Sequence, residues 1–240
     1  MRKLPNFYYE KLVSKRIPGL VAGLDEAGRG ALAGPLVCAA VVFSDSFSEI
    51  SKLAKDQKIN INDSKKMTSL QREKSFKWIK KNALTWGVGV VSVAEINNKG
   101  IAKATFSGFR RAIRNAEERI NRRINFILID AFYVPYIAGI NMPRKMIRKA
   151  NRKAKKLKIQ ASQLALVHGD EKSFSIAAAS IIAKVYRDRL MKKISEKKAY
   201  QKYNWGKNKG YGTRDHIFAL KKYGKTRFHR RLFIDSIIES

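Results

Sequence analysis

Five short apolar runs, at residues 20–24, 36–43, 88–93, 124–129 and 164–167, constrain this chain more than any other feature. Each is rich in Val, Ile or Leu and has the length of a buried strand rather than of a helix. Amphipathic segments at 68–81, 103–119 and 172–193 lie between or after them and read as helices. Thr68, with Gln71 three residues later, forms a capping-box pattern that starts the first of these. Strands cluster early and then alternate with helices, which predicts an α/β fold with a mixed central β-sheet flanked by helices. No internal repeat or Pro/Gly-rich linker interrupts the chain, so one domain spanning 1–240 is expected.

Composition narrows the function. The chain carries 51 Lys and Arg against 19 Asp and Glu, a net charge of +32, yet 45% of it is hydrophobic. An apolar content that high belongs to a folded body, and a folded body with so positive a field points to a polyanion, most often nucleic acid. The one cysteine, Cys38, forms no internal disulfide and sits in the apolar run 35–43 as a small buried hydrophobe. No Cys/His cluster suits zinc. The longest apolar run falls far short of the roughly 18 residues a membrane helix needs, and the N-terminus has no hydrophobic signal segment. A cytoplasmic protein without a membrane partner is the expectation.

Two stretches hold surplus charge. Residues 141–160 contain nine Lys/Arg and no acid, and 201–231 contain ten Lys/Arg against Asp215 alone. In the second, Tyr203, Trp205, Tyr211, Tyr223 and Phe228 are interleaved with the cations, so stacking surfaces for nucleic acid are expected there. His168, His216 and His229 show no partners in the sequence.

Acids are scarce, so their positions carry information. Asp25 and Glu26 follow the first apolar run and open Ala27-Gly28-Arg29-Gly30; Asp130 ends the fourth run; Asp170 follows the fifth. All fall at the C-terminal ends of predicted strands, the edge where open α/β sheets bind ligands. Clustered carboxylates repel one another unless a cation neutralises them, and an all-oxygen set suits Mg²⁺ or Mn²⁺. Adjacent residues of a regular strand point to opposite faces, so Asp25 and Glu26 are expected to share a site only if the strand ends or turns at that point. A carboxylate metal site on a basic surface suits in-line phosphoryl displacement. From the residues alone, the chain reads as a metal-dependent nuclease or phosphotransferase acting on nucleic acid.

The motifs resemble those of a known family. Gly-Leu-Asp-Glu-Ala-Gly-Arg-Gly at 23–30, Leu-Ala-Gly-Pro-Leu at 32–36, Asn-Asp-Ser-Lys-Lys at 62–66, Gly-Asp-Glu-Lys-Ser at 169–173, Ile-Ala-Ala-Ala-Ser-Ile-Ile-Ala-Lys at 176–184, Arg187-Asp188, Lys-Gly-Tyr-Gly-Thr at 209–213 and His-Arg-Arg at 229–231 resemble, in order, the blocks of ribonuclease HII, the type 2 ribonuclease H. The resemblance implies a ribonuclease H-like fold and cleavage of the RNA strand of RNA–DNA hybrids and at single ribonucleotides in duplex DNA. It also implies 5′-phosphate and 3′-hydroxyl ends, and two divalent cations, Mg²⁺ or Mn²⁺, held by Asp25, Glu26, Asp130 and Asp170. On this reading Asp25 bridges the ions, Glu26 and Asp130 hold one, and Asp170 holds the other. Gly28, Arg29 and Gly30 match the loop that reads the 2′-hydroxyl through its backbone, where glycine permits a close approach to the sugar. Tyr211 matches the tyrosine that stacks on the deoxyribose beyond the junction, and Lys65 and Lys66 are expected to approach phosphate. Ser180 and Lys184 belong to the same motif.

Three departures from the family pattern stand out. Ala131-Phe132 follows Asp130 where Gly or Ser and a polar residue are expected, the basic segment 141–160 reads as an insertion, and the chain ends soon after Arg231. The rival readings are ribonuclease HIII, a junction resolvase of the same fold, and a non-catalytic hybrid-binding protein. The expected partners are RNA–DNA hybrid and ribonucleotide-containing duplex DNA, bound by a monomer. If about four to six phosphates are neutralised, log affinity falls against log salt with a slope near −0.9 per contact. Titrations from low to high salt measure that slope, and a flat response would assign the charge to another purpose, such as ribosome association.

Overall fold

The computed structural model describes residues 4–137 and 162–238. Its centre is a five-stranded sheet in the order β3-β2-β1-β4-β5. The strands are β1 (Leu20–Ala27), β2 (Leu36–Val42), β3 (Thr85–Val91), β4 (Ile124–Asp130) and β5 (Gln163–Leu166). The first three form an antiparallel meander, while β4 and β5 run parallel to β1. The mixed sheet is therefore as expected, and all five apolar runs are strands. Two of their boundaries move. β1 runs three residues past the apolar stretch, through both acids, because Asp25, Glu26 and Ala27 pair with Ala39, Cys38 and Val37 of β2. β3 begins at Thr85 and stops at Val91, since the Ser92 hydroxyl accepts from the Glu95 amide and starts the next helix.

Helices cover both faces. On one lie α1 (Tyr8–Ser14), α2 (Phe47–Asp56), α3 (Ser69–Asn82) and α5 (Phe174–Ser195); on the other lies α4 (Val93–Ile120). Thr68 and Gln71 form the expected reciprocal cap of α3, with bonds of 3.2 and 2.9 Å. α4 starts ten residues earlier than expected and is broken at Gly100, whose φ of 73° no helix contains. α1, α2, α6 (Trp205–Asn208), α7 (Arg214–Tyr223) and α8 (Arg231–Ile238), each ten residues or shorter, are not among the helices expected from the sequence. The basic segment 141–160 lies outside the described residues. Among the described residues no helix is long and apolar enough to cross a membrane.

What sets the geometry is how closely the helices lie on the sheet. A β-carbon on Gly23 of β1 would sit 2.1 Å from the Ser175 carbonyl carbon of α5. Ala177, Ala178 and Ala179 extend that small-residue contact and are fully buried. Overpacking a contact of this kind costs about 1–3 kcal/mol. Gly23→Ala is expected to lose that much stability in urea melts and to lower activity with it; wild-type stability would show that α5 can move off the sheet freely.

Candidate active site

Asp25 and Glu26 both lie within β1, so alternation puts them on opposite faces of the sheet. Asp25 faces α5 with Gly23 and Ala27, while Glu26 shares the α4 face with Ala22, Leu24 and Cys38. The strand does end there, as a shared site requires: β1 stops at Ala27, one residue past Glu26. They reach one site because both stand at the strand's end, where neither face is fully covered. Asp25, Glu26 and Asp130 line a cleft of about 490 Å³ together with Ala27, Gly28, Arg29, Gly30, Ser64, Lys65, Arg72, Ser180, Lys184 and Tyr211. Asp170, not part of that lining, is buried in a 3₁₀ turn (Gly169–Glu171) that leads into α5, and its charge acts on Asp25. The turn is tied to β4 by the Gly169 amide, which donates to Asp130 Oδ1 at 2.9 Å.

The four acids form one electrostatic group. Burial, then the charge of Glu26, pushes the Asp25 carboxyl well above its usual range, with Asp170 adding to the push. Glu26 is raised chiefly by burial; Arg29 opposes this and Asp130 reinforces it. Asp170 is pushed up to about 6, by burial and then by Asp63 and Asp130. Partial burial works against the Lys65 ammonium, but Asp25, Asp63, Asp170 and Asp130 outweigh it and hold its pKa above the usual lysine value. Hard oxygen donors that repel one another in a half-dry cleft fit a divalent cation. Among the described residues no three His, Cys, Asp or Glu side chains are already drawn together as a finished cage. The donor set fits the charge and chemistry of such an ion.

The remaining expected site residues are distributed unevenly. Gly28, Arg29, Gly30, Lys65 and Tyr211 line the cleft. Lys66 does not: its ammonium pairs with Glu171 at 2.5 Å and lies 3.9 Å from Asp63. Gly28 and Gly30 also differ. A β-carbon on Gly30 would meet nothing within 4 Å, as a backbone approached by a ligand requires, whereas Gly28, at φ 90°, is pressed onto Arg187 from below. Ser180 and Lys184 stand on the wall, Ser180 bonded to Ser64 at 2.9 Å. Sequence reasoning missed Asp63 and Arg72. Asp63 lies inside the Asn-Asp-Ser-Lys-Lys block, where its side chain accepts from the Lys65 amide at 2.9 Å; no strand precedes it to mark it as a site acid. The Ala131-Phe132 departure has a clear local consequence. Ala131 adopts φ 61°, where glycine is favoured, and the Phe132 ring takes the Arg29 guanidinium at 4.7 Å while packing on Phe106 and Phe109.

The basic and aromatic segment 201–233 behaves differently from expectation. Tyr203 and Trp205 are buried and stack on one another at 5.0 Å, forming a small core with Met191 and Ala219 instead of a surface for bases. A chain segment of short helices must bury its large rings somewhere, and the end of α5 is the apolar surface available. His216 and His229, without partners in the sequence, are joined there. His216 Nδ1 donates to the Tyr211 carbonyl at 2.9 Å, so its Nε2 is the acceptor for Trp205 Nε1 at 2.9 Å. His229 Nδ1 accepts from the Thr226 amide, so its Nε2 carries the proton shared with His216 Nε2 at 3.2 Å. The network is complete only with both rings neutral, and it holds the backbone of Tyr211.

Comparison with known proteins gives the family. The family model described as Ribonuclease HII matches residues 22–236. The chain belongs to the ribonuclease HII family. The ribonuclease HII of Caldanaerobacter subterraneus subsp. tengcongensis is 41% identical over 233 residues, covering 97% of this chain and 81% of that protein. The ribonuclease HII of Wolbachia pipientis subsp. Culex pipiens is 38% identical, covering 96% of each. The crystal structure of ribonuclease H2 from Pyrococcus horikoshii OT3 superposes with a TM-score of 0.64 at 27% identity, covering 92% of this chain and 98% of that one. The fold is therefore ribonuclease H-like, and membership of the ribonuclease HII family makes the chain a metal-dependent endoribonuclease, a hydrolase of a family that acts on RNA–DNA hybrids.

Burial, reinforced by the neighbouring His216, pushes His229 down to about 4 from its ordinary 6.5. The unfolded chain takes up this proton below about 6.5 and the folded one only near 4, so this contribution to stability is complete above 6.5 and is lost as pH falls through that window. Because the raised Asp170 carboxyl acts with the opposite sign over the same window, the test is a difference: in denaturant melts between pH 7 and 4, His229→Asn is expected to lose less stability than wild type. An unchanged profile would mean that the dyad is not held neutral.

Proposed function

We propose that this enzyme hydrolyses the RNA strand of RNA–DNA hybrids and nicks duplex DNA on the 5′ side of single ribonucleotides, leaving 5′-phosphate and 3′-hydroxyl ends. The observation that carries the reading is the union, in one cleft, of a repelling carboxylate group with a glycine loop and a tyrosine suited to a sugar. Asp25, Glu26, Asp130 and Asp170 would hold two divalent cations, Mg²⁺ or Mn²⁺. When bound, these would stabilise the entering and leaving oxygens of an in-line phosphoryl displacement.

The protein's own groups supply binding and selection. Lys65, kept charged by the surrounding acids, offers a cation to the phosphate at the cut. The Arg29 and Gly30 amides have no intramolecular acceptor among the described residues and stand beside open space, so they suit the 2′-hydroxyl, the group that separates RNA from DNA. Tyr211, half-buried in the lining of the same cleft, offers a ring face to the neighbouring deoxyribose. We take the enzyme to act as a monomer, as a single catalytic unit, with the cytoplasm as its compartment.

A duplex carrying one ribonucleotide, incubated with Mg²⁺, Mn²⁺ or EDTA and mapped at nucleotide resolution, tests this directly. A metal-dependent cut 5′ of the ribonucleotide is expected, and binding without cleavage in either metal would leave only a hybrid-binding protein. Asp25→Asn should abolish cleavage and leave hybrid affinity nearly intact. Because it removes a buried like charge, it should also melt no lower than wild type without metal. Surviving activity would remove Asp25 from the site.

A further inference from the structure

Two guanidinium groups, those of Arg187 and Arg230, lie fully buried beneath the rim of the cleft. Neither forms an ion pair among the described residues; both spend their donors on main-chain carbonyls of one loop. Arg187 donates from Nε to Pro35 at 3.0 Å and from Nη2 to Ala33 at 3.2 Å. Arg230 donates from Nε and Nη2 to Gly34 at 3.0 and 2.9 Å, and from Nη1 to Arg29 at 2.9 Å. The Arg187 Nη1 has no hydrogen-bond partner among the described residues. Burying two unpaired like charges beside each other is costly, and burial with the nearby Arg187 charge pushes Arg230 down to about 9. A pair kept under those conditions has a task that an apolar filler would not perform.

Its contacts identify the task. Arg187 touches both halves of the sugar-reading rim. Its guanidinium carbon is 5.0 Å from the centroid of the Tyr211 ring, and a β-carbon on Gly28 would lie 1.8 Å from its Nε. Arg230 holds the carbonyl of Arg29, the middle residue of the loop. The Leu32 and Ala33 amides close the frame by donating to the Gly210 carbonyl, next to Tyr211, at 2.9 and 3.1 Å. Loop and tyrosine come from positions 28–30 and 211 of the chain, yet both rest on the same buried side chain.

We propose that Arg187 and Arg230 are positioning residues for sugar discrimination: they fix the distance between the 28–30 backbone and the Tyr211 ring, and that distance admits a ribose flanked by a deoxyribose. This deepens the reading of the cleft as ribonucleotide-selective and rests on it. Neither arginine touches the substrate; each acts through the group it holds. Both tasks at once need the planar, forked guanidinium, which donates to carbonyls along its edge and turns a flat face to the ring, a face an ammonium lacks.

The test is a double-mutant cycle on the full chain with Mg²⁺ or Mn²⁺. Cleavage of a single-ribonucleotide duplex gives kcat and KM, and inhibition by the matching all-deoxy duplex gives its Ki. Arg187→Lys is expected to lower kcat/KM about ten- to a hundredfold, mostly through kcat, as misplacement by about an ångström does, with Ki for the all-deoxy duplex near the wild-type value. Tyr211→Leu should lower kcat/KM as well, and the double variant should cleave about as well as Tyr211→Leu alone. Additive losses would mean that Arg187 does not work through Tyr211 and would overturn the proposal, as would wild-type kcat/KM in a folded Arg187→Lys. Should Arg187→Lys fail to fold, Arg230→Lys, acting through the Arg29 carbonyl, is expected to show the same fall in kcat with unchanged Ki, and wild-type kinetics there would overturn it. If the unsubstituted enzyme fails to prefer the ribonucleotide duplex, the underlying reading falls with the proposal, and the result appears before any variant is made.

Discussion

The contact of α5 with β1 is the constraint on which the site depends. At Gly23 the helix backbone lies where a side chain would otherwise stand. Because α5 is that close, Ser180, Lys184 and Arg187 along it reach the end of β1, and the turn before it delivers Asp170 beside Asp25. The other face repeats the device: Gly87 and Gly89 of β3 lie under α4, with a β-carbon on Gly89 only 2.0 Å from the Gly108 carbonyl. With both helices seated, the strand ends have little freedom, and the carboxylates they carry are held near one another despite their mutual repulsion.

That repulsion works against folding. In a chain with 19 acids among 240 residues, placing Asp25, Glu26, Asp130, Asp170 and Asp63 in one region runs against the solvation of each. Lys65 stands among them as a neighbouring cation, raised by Asp25, Asp63, Asp170 and Asp130, and Arg29 lies 3.6 Å from Glu26. Folding energy from the apolar layers keeps the acids together, and a divalent ion is the partner whose charge would relieve them.

The C-terminal third serves the same site from behind. Tyr203, Trp205, His216 and His229 form a buried polar and aromatic knot: Trp205 and His229 meet on His216, which donates to the Tyr211 carbonyl, while the Tyr203 hydroxyl donates to the Gly224 carbonyl. Arg230 reaches from the next residue into the 28–35 loop. Aromatic rings among cations resemble a nucleic-acid surface in a linear reading, yet here most of them are spent on supporting the one tyrosine that faces the cleft. Phe218 and Tyr223 remain exposed.

The strand runs, the capping box at Thr68 and the four acids at strand ends were legible because each is a local pattern: apolar period, cap spacing, and charge where hydrophobicity stops. Short helices such as α1 and α7 were not, since few turns give no reliable period. Nor were Asp63, the diversion of Lys66 to Glu171, or the neutral histidine pair, each of which depends on residues distant in the chain. By itself the sequence determined which residue types stand at the sheet's edge and hence the chemistry available there. Only the tertiary structure decided which of them meet, because burial, repulsion and hydrogen-bond partners belong to positions in space, and the approach of α5 to Gly23 sets those positions.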